Sequence, residues 1–145
     1  MNKLLIFDLD GVLADTREIH YHALNEALEE ILGKKAIIDR DTHLSQYDGL
    51  PTTVKLKKLK IDPSYHNDIW LSKQDKTEDL IDKQIVTDLS LIRFCKKLKG
   101  IKLACCSNSI RSTIVRVLQK LGIYDYIDII VSNEDVMNNK PHPEM

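Results

Sequence analysis

The sequence has few of the residues that build a disulfide framework, a zinc site or a chain of one charge sign. Its three cysteines, Cys95, Cys105 and Cys106, include no Cys-x-x-Cys pair, which excludes a disulfide scaffold and a structural zinc site. The 21 basic and 22 acidic residues nearly balance, so bulk charge gives no reason to expect nucleic acid or a membrane as partner. Apolar runs are too short for a signal peptide or a membrane span. We therefore expect a globular protein of the reducing cytoplasm.

Three short apolar runs punctuate the chain. Residues 4–7, 101–106 and 127–131 are each bounded by polar residues or glycine, a pattern typical of strands buried on both faces of a parallel sheet. Helical patterns precede the second and third runs. This alternation predicts an α/β fold with a Rossmann-like parallel sheet, left incomplete because only three strands are visible.

The stretch between the first two strands contains helical patterns only. Apolar residues recur at helical spacing up to Gly33, a polar connector follows to Gly49, and helices then open at Pro51 and Pro63. A crossover of this length is better explained as an inserted helical cap. We predict a cap over residues 15–87 and a discontinuous core formed by residues 1–14 and 88–145.

A cluster of lysines, residues 55, 57, 58 and 60, lies in the second predicted cap helix. We interpret the cluster as a solvated helix face, because short charge runs usually are that. A contact with phosphate or with a partner is the alternative.

Asp8, Asp10 and Gly11 follow the first strand directly. Ligands of open α/β sheets bind beyond the carboxyl ends of the strands, and two carboxylates there repel unless a hard cation such as Mg²⁺ lies between them. One carboxylate can attack phosphorus while the other transfers protons, and glycine allows the backbone to approach a ligand. The alternative is an acidic turn without chemistry.

Two further polar segments are expected at the same edge of the sheet. Ser107 and Asn108 follow the second strand, and Lys140 follows the third. A phosphoryl group needs hydrogen-bond donors and a cation beside the metal, which these residues supply. Taken singly, Ser107 is equally well a helix cap and Lys140 a surface lysine.

The segment Phe7-Asp8-Leu9-Asp10-Gly11-Val12-Leu13-Ala14-Asp15-Thr16 resembles the first motif of the haloacid dehalogenase superfamily. Ser107-Asn108-Ser109 is similar to its second motif, and Lys140-Pro141-His142-Pro143-Glu144 to its third. The resemblance implies that Asp8 is the nucleophile, Asp10 the acid/base, and that both bind Mg²⁺. It also implies that Gly11, Ser107, Asn108 and Lys140 bind the substrate's phosphate.

The presence of a second aspartate, Asp10, resembles the pattern of the phosphatases and mutases of that superfamily. The dehalogenases proper lack an aspartate at this position. Thr16 and His20 match substrate-binding residues of the beta-phosphoglucomutase-like subgroup. The two positions where that mutase carries a lysine and an arginine for its sugar phosphate are Asp48 and Thr52 here, and these cannot clamp phosphate in the same way. We therefore expect a Mg²⁺-dependent phosphatase of small phosphomonoesters that acts through an aspartyl-phosphate, with a sugar phosphomutase as the alternative.

The resemblance also implies an acidic fourth motif beyond the third, and the sequence ends at Met145 before it. A truncated chain, a longer protein and a non-catalytic remnant that binds phosphate or a partner all remain open. The expected partner is a small phosphorylated metabolite, with neither nucleic acid nor membrane. The third strand would present an exposed sheet edge, which predicts self-association.

Overall fold

A computed structural model describes residues 3–145. Single turns of 3₁₀ helix at Lys34–Ala36, Pro63–Tyr65 and Tyr124–Tyr126 join some of the elements. In chain order, the strands and α-helices are β1 (Lys3–Phe7), α1 (Arg17–Leu32), α2 (Arg40–Gln46), α3 (Thr52–Lys58), α4 (His66–Gln84), α5 (Leu89–Lys97), β2 (Ile101–Cys106), α6 (Arg111–Leu121) and β3 (Ile129–Val131).

The chain forms two compact units. One, here called the sheet unit, comprises Met1–Asp15 and Ile81–Met145; the other, the helical unit, is Thr16–Leu80. That the helical unit serves as a cap over a core remains a prediction. Among residues 3–145, no helix is both long enough and apolar enough to cross a membrane.

The sheet of the sheet unit is parallel, with the strand order β1-β2-β3 in the described residues. Phe7 lies opposite Cys105, and Cys106 lies opposite Val131, so all three strands end at one edge. Each connection between neighbouring strands contains a helix, as parallel pairing requires. The prediction of a parallel α/β fold is confirmed.

One face of β1 differs from the prediction that both faces are buried. Leu4 is 53% exposed and Ile6 is 56% exposed. Phe7 points to the opposite face, where its ring packs edge-on against Phe94 of α5 at 6.4 Å between centroids. Side chains alternate along a strand, so α5 covers only the face that carries Phe7, and Leu4 and Ile6 lie on the other.

The third strand is shorter than the apolar run predicted. Residues 127 and 128 lie outside β3 because Asp128 is held by Leu103 of β2. Its backbone N–H donates to the Leu103 carbonyl at 2.8 Å, and its carboxylate accepts from the Leu103 N–H at 2.9 Å. Ile129 of β3 is 46% exposed, and self-association through this part of the sheet stays a prediction.

Helix α6 packs against β3 in the sheet unit. It ends at Gly122, whose φ of 78° is in the left-handed region. A Cβ at Gly122 would lie 2.9 Å from the Ile92 side chain, so this turn needs glycine for both backbone and space. The buried side chains of α6 are Thr113, Ile114, Val117, Leu118 and Leu121.

The helical unit has its own core. Helix α2 within it lies where the sequence predicts a polar connector, and the prediction is wrong there because α2 carries little apolar periodicity. The helix instead begins with a polar cap, in which the Asp39 carboxylate accepts from the Thr42 N–H at 2.9 Å. The core cluster comprises Leu24, Ala27, Leu28, Ile38, Tyr47, Leu56 and Ile69.

Candidate active site

Asp8, the residue after β1, is held by two donors at one carboxylate oxygen. Lys140 Nζ donates to Asp8 Oδ1 at 2.7 Å, and the Leu9 backbone N–H donates to the same oxygen at 2.8 Å. Lys140 Nζ also donates to the Cys106 carbonyl at the end of β2, at 3.0 Å. The Asp8 side chain remains 43% exposed. A carboxylate that is oriented by a cation and open to solvent is placed to meet a phosphoryl group.

The backbone of Lys140 is fixed by Asn108. The Lys140 N–H donates to Asn108 Oδ1 at 2.9 Å, and Asn108 Nδ2 donates to the Lys140 carbonyl at 3.1 Å. The Asn108 side-chain amide therefore both accepts from and donates to the backbone of Lys140, as a residue of a neighbouring strand would. Asn108 acts here as a positioning residue for Lys140, and its predicted contact with phosphate stays a prediction.

Asp10 lies beside the two serines that follow β2. Ser107 Oγ donates to Asp10 Oδ2 at 3.1 Å, and Ser109 Oγ lies 3.4 Å from the same oxygen. Ser107 is fully buried, and its Oγ accepts a bond from the Ser109 N–H at 3.0 Å. A carboxylate that accepts bonds from two hydroxyls has defined partners for holding or releasing a proton.

A tight turn connects the two aspartates to α1. The Leu9 carbonyl accepts from the N–H groups of residues 12, 13 and 14, and the Gly11 N–H donates to the Ala14 carbonyl at 2.7 Å. Gly11 has a φ of 80°, a conformation that side chains other than glycine rarely adopt. The turn directs the chain away immediately after Asp10, so both carboxylates lie at the carboxyl edge of the sheet.

The loop that carries Lys140 is closed by two carboxylates. Glu144 accepts from the backbone N–H groups of Met137 and Asn138 at 2.7 and 2.9 Å. At the loop's start, Asp135 Oδ2 accepts from the Ser132 N–H and hydroxyl at 2.7 and 2.6 Å. The same oxygen accepts from Arg111 of α6 at 2.8 Å. These bonds, those from Ser132 foremost, hold the pKa of Asp135 at about 2.

The cysteines of the sheet unit are buried thiols. All three are free, and burial raises the pKa of Cys105 to about 12. A thiol that stays protonated is a poor nucleophile, so Cys105 is a weaker candidate for that role than the two carboxylates.

The sequence places Thr16 and His20 in substrate binding, and both belong to the helical unit. Thr16 precedes α1 and is fully buried, and its carbonyl accepts from the His20 N–H at 3.0 Å. His20 Nδ1 lies 3.4 Å from Nζ of Lys73, a largely buried lysine of α4. Their roles toward a substrate stay predictions.

The donors at the sheet edge fit a magnesium ion. Asp8 and Asp10 offer carboxylate oxygens, the ligands that this hard cation prefers. Among residues 3–145, no group of three or more His, Cys, Asp or Glu side chains could hold a metal. Mg²⁺ is commonly held by one or two carboxylates, with water and substrate phosphate completing its shell, so two carboxylates suffice for this mode.

Five predicted site residues thus meet at one edge: Asp8, Asp10, Ser107, Asn108 and Lys140. Sequence reasoning assigned no role to Ser109, Asp135 or Glu144. The first was visible in the Ser107-Asn108-Ser109 motif. Asp135 is bonded to Ser132 and Arg111, and Glu144 to the residues before Lys140; a sequence pattern does not report such contacts.

Comparison with known sequences and structures finds relatives along nearly the whole chain. The sequence model described as haloacid dehalogenase-like hydrolase matches residues 5–145. The chain is 28% identical to a phosphorylated carbohydrates phosphatase of Thermotoga maritima, over 99% of this chain and 67% of that protein. It is 29% identical to a beta-phosphoglucomutase of Bacillus subtilis, over 99% of this chain and 66% of that protein.

A solved structure shows the same relationship. The crystal structure of beta-phosphoglucomutase from Clostridium difficile aligns with a TM-score of 0.79 and 28% identity, covering 99% of this chain and 67% of that one. The chain therefore spans about two thirds of the length of each of these three proteins.

Proposed function

Because the chain belongs to the haloacid dehalogenase-like hydrolase family, we propose that it supplies the aspartate nucleophile of a Mg²⁺-dependent phosphohydrolase of small phosphomonoesters. One observation carries this proposal. Lys140 Nζ lies 2.7 Å from Asp8 Oδ1 although the two residues are 132 positions apart. A nucleophile and a cation brought together from opposite ends of the chain are what transfer of an anionic group requires.

Asp8 carries out the first step. One of its carboxylate oxygens attacks phosphorus while the bond from phosphorus to the ester oxygen breaks, which leaves an aspartyl-phosphate on Asp8. Asp10, protonated at this stage, gives its proton to the departing alcohol oxygen. Lys140 offsets the negative charge that two anions bring together.

Water completes the cycle. The Asp10 carboxylate takes a proton from a water molecule, whose oxygen attacks phosphorus and releases the Asp8 carboxylate and inorganic phosphate. Ser107 and Ser109 hold Asp10 in place for both transfers, since their hydroxyls lie 3.1 and 3.4 Å from its Oδ2. When bound, Mg²⁺ would be held by Asp8 and Asp10 and would neutralise charge on the phosphoryl oxygens.

The activities of two relatives support a substrate class. One relative is a phosphatase of phosphorylated carbohydrates and another is a beta-phosphoglucomutase. A small phosphorylated metabolite, with a sugar phosphate as the first choice, is accordingly the proposed substrate. The mutase is the second candidate, favoured by 29% identity to the Bacillus subtilis enzyme, and it differs in returning the phosphoryl group to a sugar rather than to water.

Phosphate release from a panel of sugar phosphates and p-nitrophenyl phosphate tests the proposal. The Asp8→Asn variant should lose activity by about a thousandfold or more, because an amide cannot form the aspartyl-phosphate. Asp125→Asn, an exposed carboxylate of the same unit, should retain activity. Turnover that survives in Asp8→Asn, or no phosphate released by the wild-type protein, would contradict it. A sugar phosphate isomerised with little phosphate release would favour the mutase.

A further inference from the structure

The loop that carries Lys140 has no regular secondary structure of its own. Residues 132–145 are all described, and they form neither helix nor strand. A lysine side chain is long and flexible, so its ammonium reaches a fixed partner only when the backbone beneath it is fixed as well. Whatever holds residues 137–144, here called the Lys140 loop, therefore bears on the contact between Lys140 and Asp8.

Glu144 ties the end of the Lys140 loop to its beginning. Its Oε1 accepts from the Met137 backbone N–H at 2.7 Å, and its Oε2 accepts from the Asn138 backbone N–H at 2.9 Å. The Asn138 side-chain amide donates to the same Oε2 at 2.8 Å. These bonds lower the pKa of Glu144, the bond from Met137 most, so the carboxylate is charged at neutral pH. One side chain thus closes the whole loop.

Lys140 lies in the middle of the loop that Glu144 closes. Its backbone is bonded in both directions to Asn108. Its ammonium donates to Asp8 at 2.7 Å and to the Cys106 carbonyl at 3.0 Å. Closing a loop removes part of the conformational freedom that would otherwise compete with these contacts. Asn108 and Glu144 therefore restrain the same stretch of backbone.

A metal ligand is the other role that a carboxylate near Lys140 could have. Among residues 3–145, Glu144 belongs to no group of three or more His, Cys, Asp or Glu side chains that could hold a metal. Both of its oxygens instead accept from donors of its own loop, and such bonds to a charged acceptor are the stronger kind. This arrangement favours a role in holding the loop.

We propose that Glu144 is a positioning residue for Lys140. Its carboxylate closes the Lys140 loop and thereby keeps the Lys140 backbone on Asn108 and the ammonium on Asp8. Any effect on catalysis rests on the function proposed above for Asp8. The effect on the backbone of Lys140 does not, and it can be measured in the absence of a substrate.

Hydrogen exchange of the whole protein tests the effect on the backbone. Glu144→Gln keeps the size of the side chain. Whichever way the new amide is turned, however, Met137 or Asn138 then faces a donor in place of an acceptor. The Lys140 amide should exchange about tenfold faster or more, because the loop leaves Asn108 more often.

Two controls accompany this measurement. Met137→Ala shortens a 91% exposed side chain of the same loop but keeps the backbone N–H, so exchange at Lys140 should be unchanged. The amide of Leu118, a fully buried residue of α6, should keep its rate in Glu144→Gln, which separates release of the loop from loss of the fold. An unchanged rate at Lys140 in Glu144→Gln, or an equal acceleration at Leu118, would overturn the proposal.

Phosphate release tests whether Glu144 acts on catalysis through Lys140. Glu144→Gln should lower kcat about tenfold in the wild-type background. It should cause no further loss in a protein that already carries Lys140→Met, because the ammonium to be positioned is gone. Equal losses of kcat in both backgrounds would count against a role through Lys140. If the wild-type protein releases no phosphate, the function proposed for Asp8 fails, and exchange at the Lys140 amide decides on Glu144 by itself.

Discussion

The side-chain amide of Asn108 and the backbone of Lys140 are hydrogen-bonded in both directions, at 2.9 and 3.1 Å. This pairing joins the turn after β2 to the loop after β3. Lys140 Nζ reaches Asp8 from this loop. Asn108 therefore positions the ion pair between Lys140 and Asp8 without contacting Asp8 itself. The position of the cation thus depends on a neutral residue.

Replacing Asn108 tests this dependence. In Asn108→Ala both bonds to Lys140 are lost, so we expect the Lys140 amide to exchange with solvent faster and the free energy of unfolding to fall by about 1–3 kcal/mol. Asn108→Asp keeps the acceptor oxygen but loses the donor N–H. Its exchange rate and its free energy of unfolding should lie between those of the wild type and Asn108→Ala. Hydrogen exchange and urea unfolding measure both effects. Unchanged exchange at the Lys140 amide would mean that the loop is held without Asn108.

The division of labour between the carboxylates can be tested with Asp10→Asn. An amide gives no proton to the departing oxygen, so esters of ordinary alcohols should lose about a hundredfold or more in kcat. p-Nitrophenyl phosphate has a leaving group that departs without protonation, so its phosphate transfer to Asp8 should be much less affected. Single-turnover kinetics with both substrates report that step alone. Equal losses for the two substrates would assign Asp10 a role other than proton donation.

The loop before Lys140 should respond to acid through Asp135. Hydrogen bonds, first from Ser132 and then from Arg111, lower the pKa of Asp135 to about 2 from its ordinary 3.8. A carboxyl group whose pKa is lowered on folding stabilises the folded protein at pH values above its pKa in the unfolded chain. This contribution is lost as the pH falls from about 4 to 2. Asp135→Asn should flatten that part of the stability profile, measured by thermal unfolding. The exposed Asp125→Asn serves as the control, and a profile unchanged in Asp135→Asn would contradict the assignment.

His43 predicts a second pH dependence, in the helical unit. Its pKa is about 4 in the folded protein and 6.5 ordinarily, so the unfolded chain takes up a proton first. Stability should therefore fall as pH drops from about 6.5 to 4. His43→Leu should reduce the slope of the melting temperature over this range, whatever its absolute stability. His22→Gln, which alters a half-exposed histidine, should keep the slope. An identical slope in wild type and His43→Leu would exclude a neutral buried imidazole.

Part of the fold was predictable because it rests on local patterns. The apolar runs around Leu5 and Leu103 fix the period and length of two strands, and the alternation of strands with helices leaves parallel pairing as the main solution. Helix α2 was not predictable in this way. Its start depends on the polar cap at Asp39, and its sequence contains little apolar periodicity.

The sequence by itself determined that carboxylates, serines and a lysine follow the strands of a parallel sheet, because strand patterns and polar residues are written in linear order. Only the tertiary structure decided their partners. In the folded chain Lys140 is paired with Asp8, and the Asn108 side chain is hydrogen-bonded to the Lys140 backbone. Lys55 is buried beside His43. Such contacts join residues far apart in the chain or select one lysine from a run, and they depend on distance and burial, which linear order does not specify.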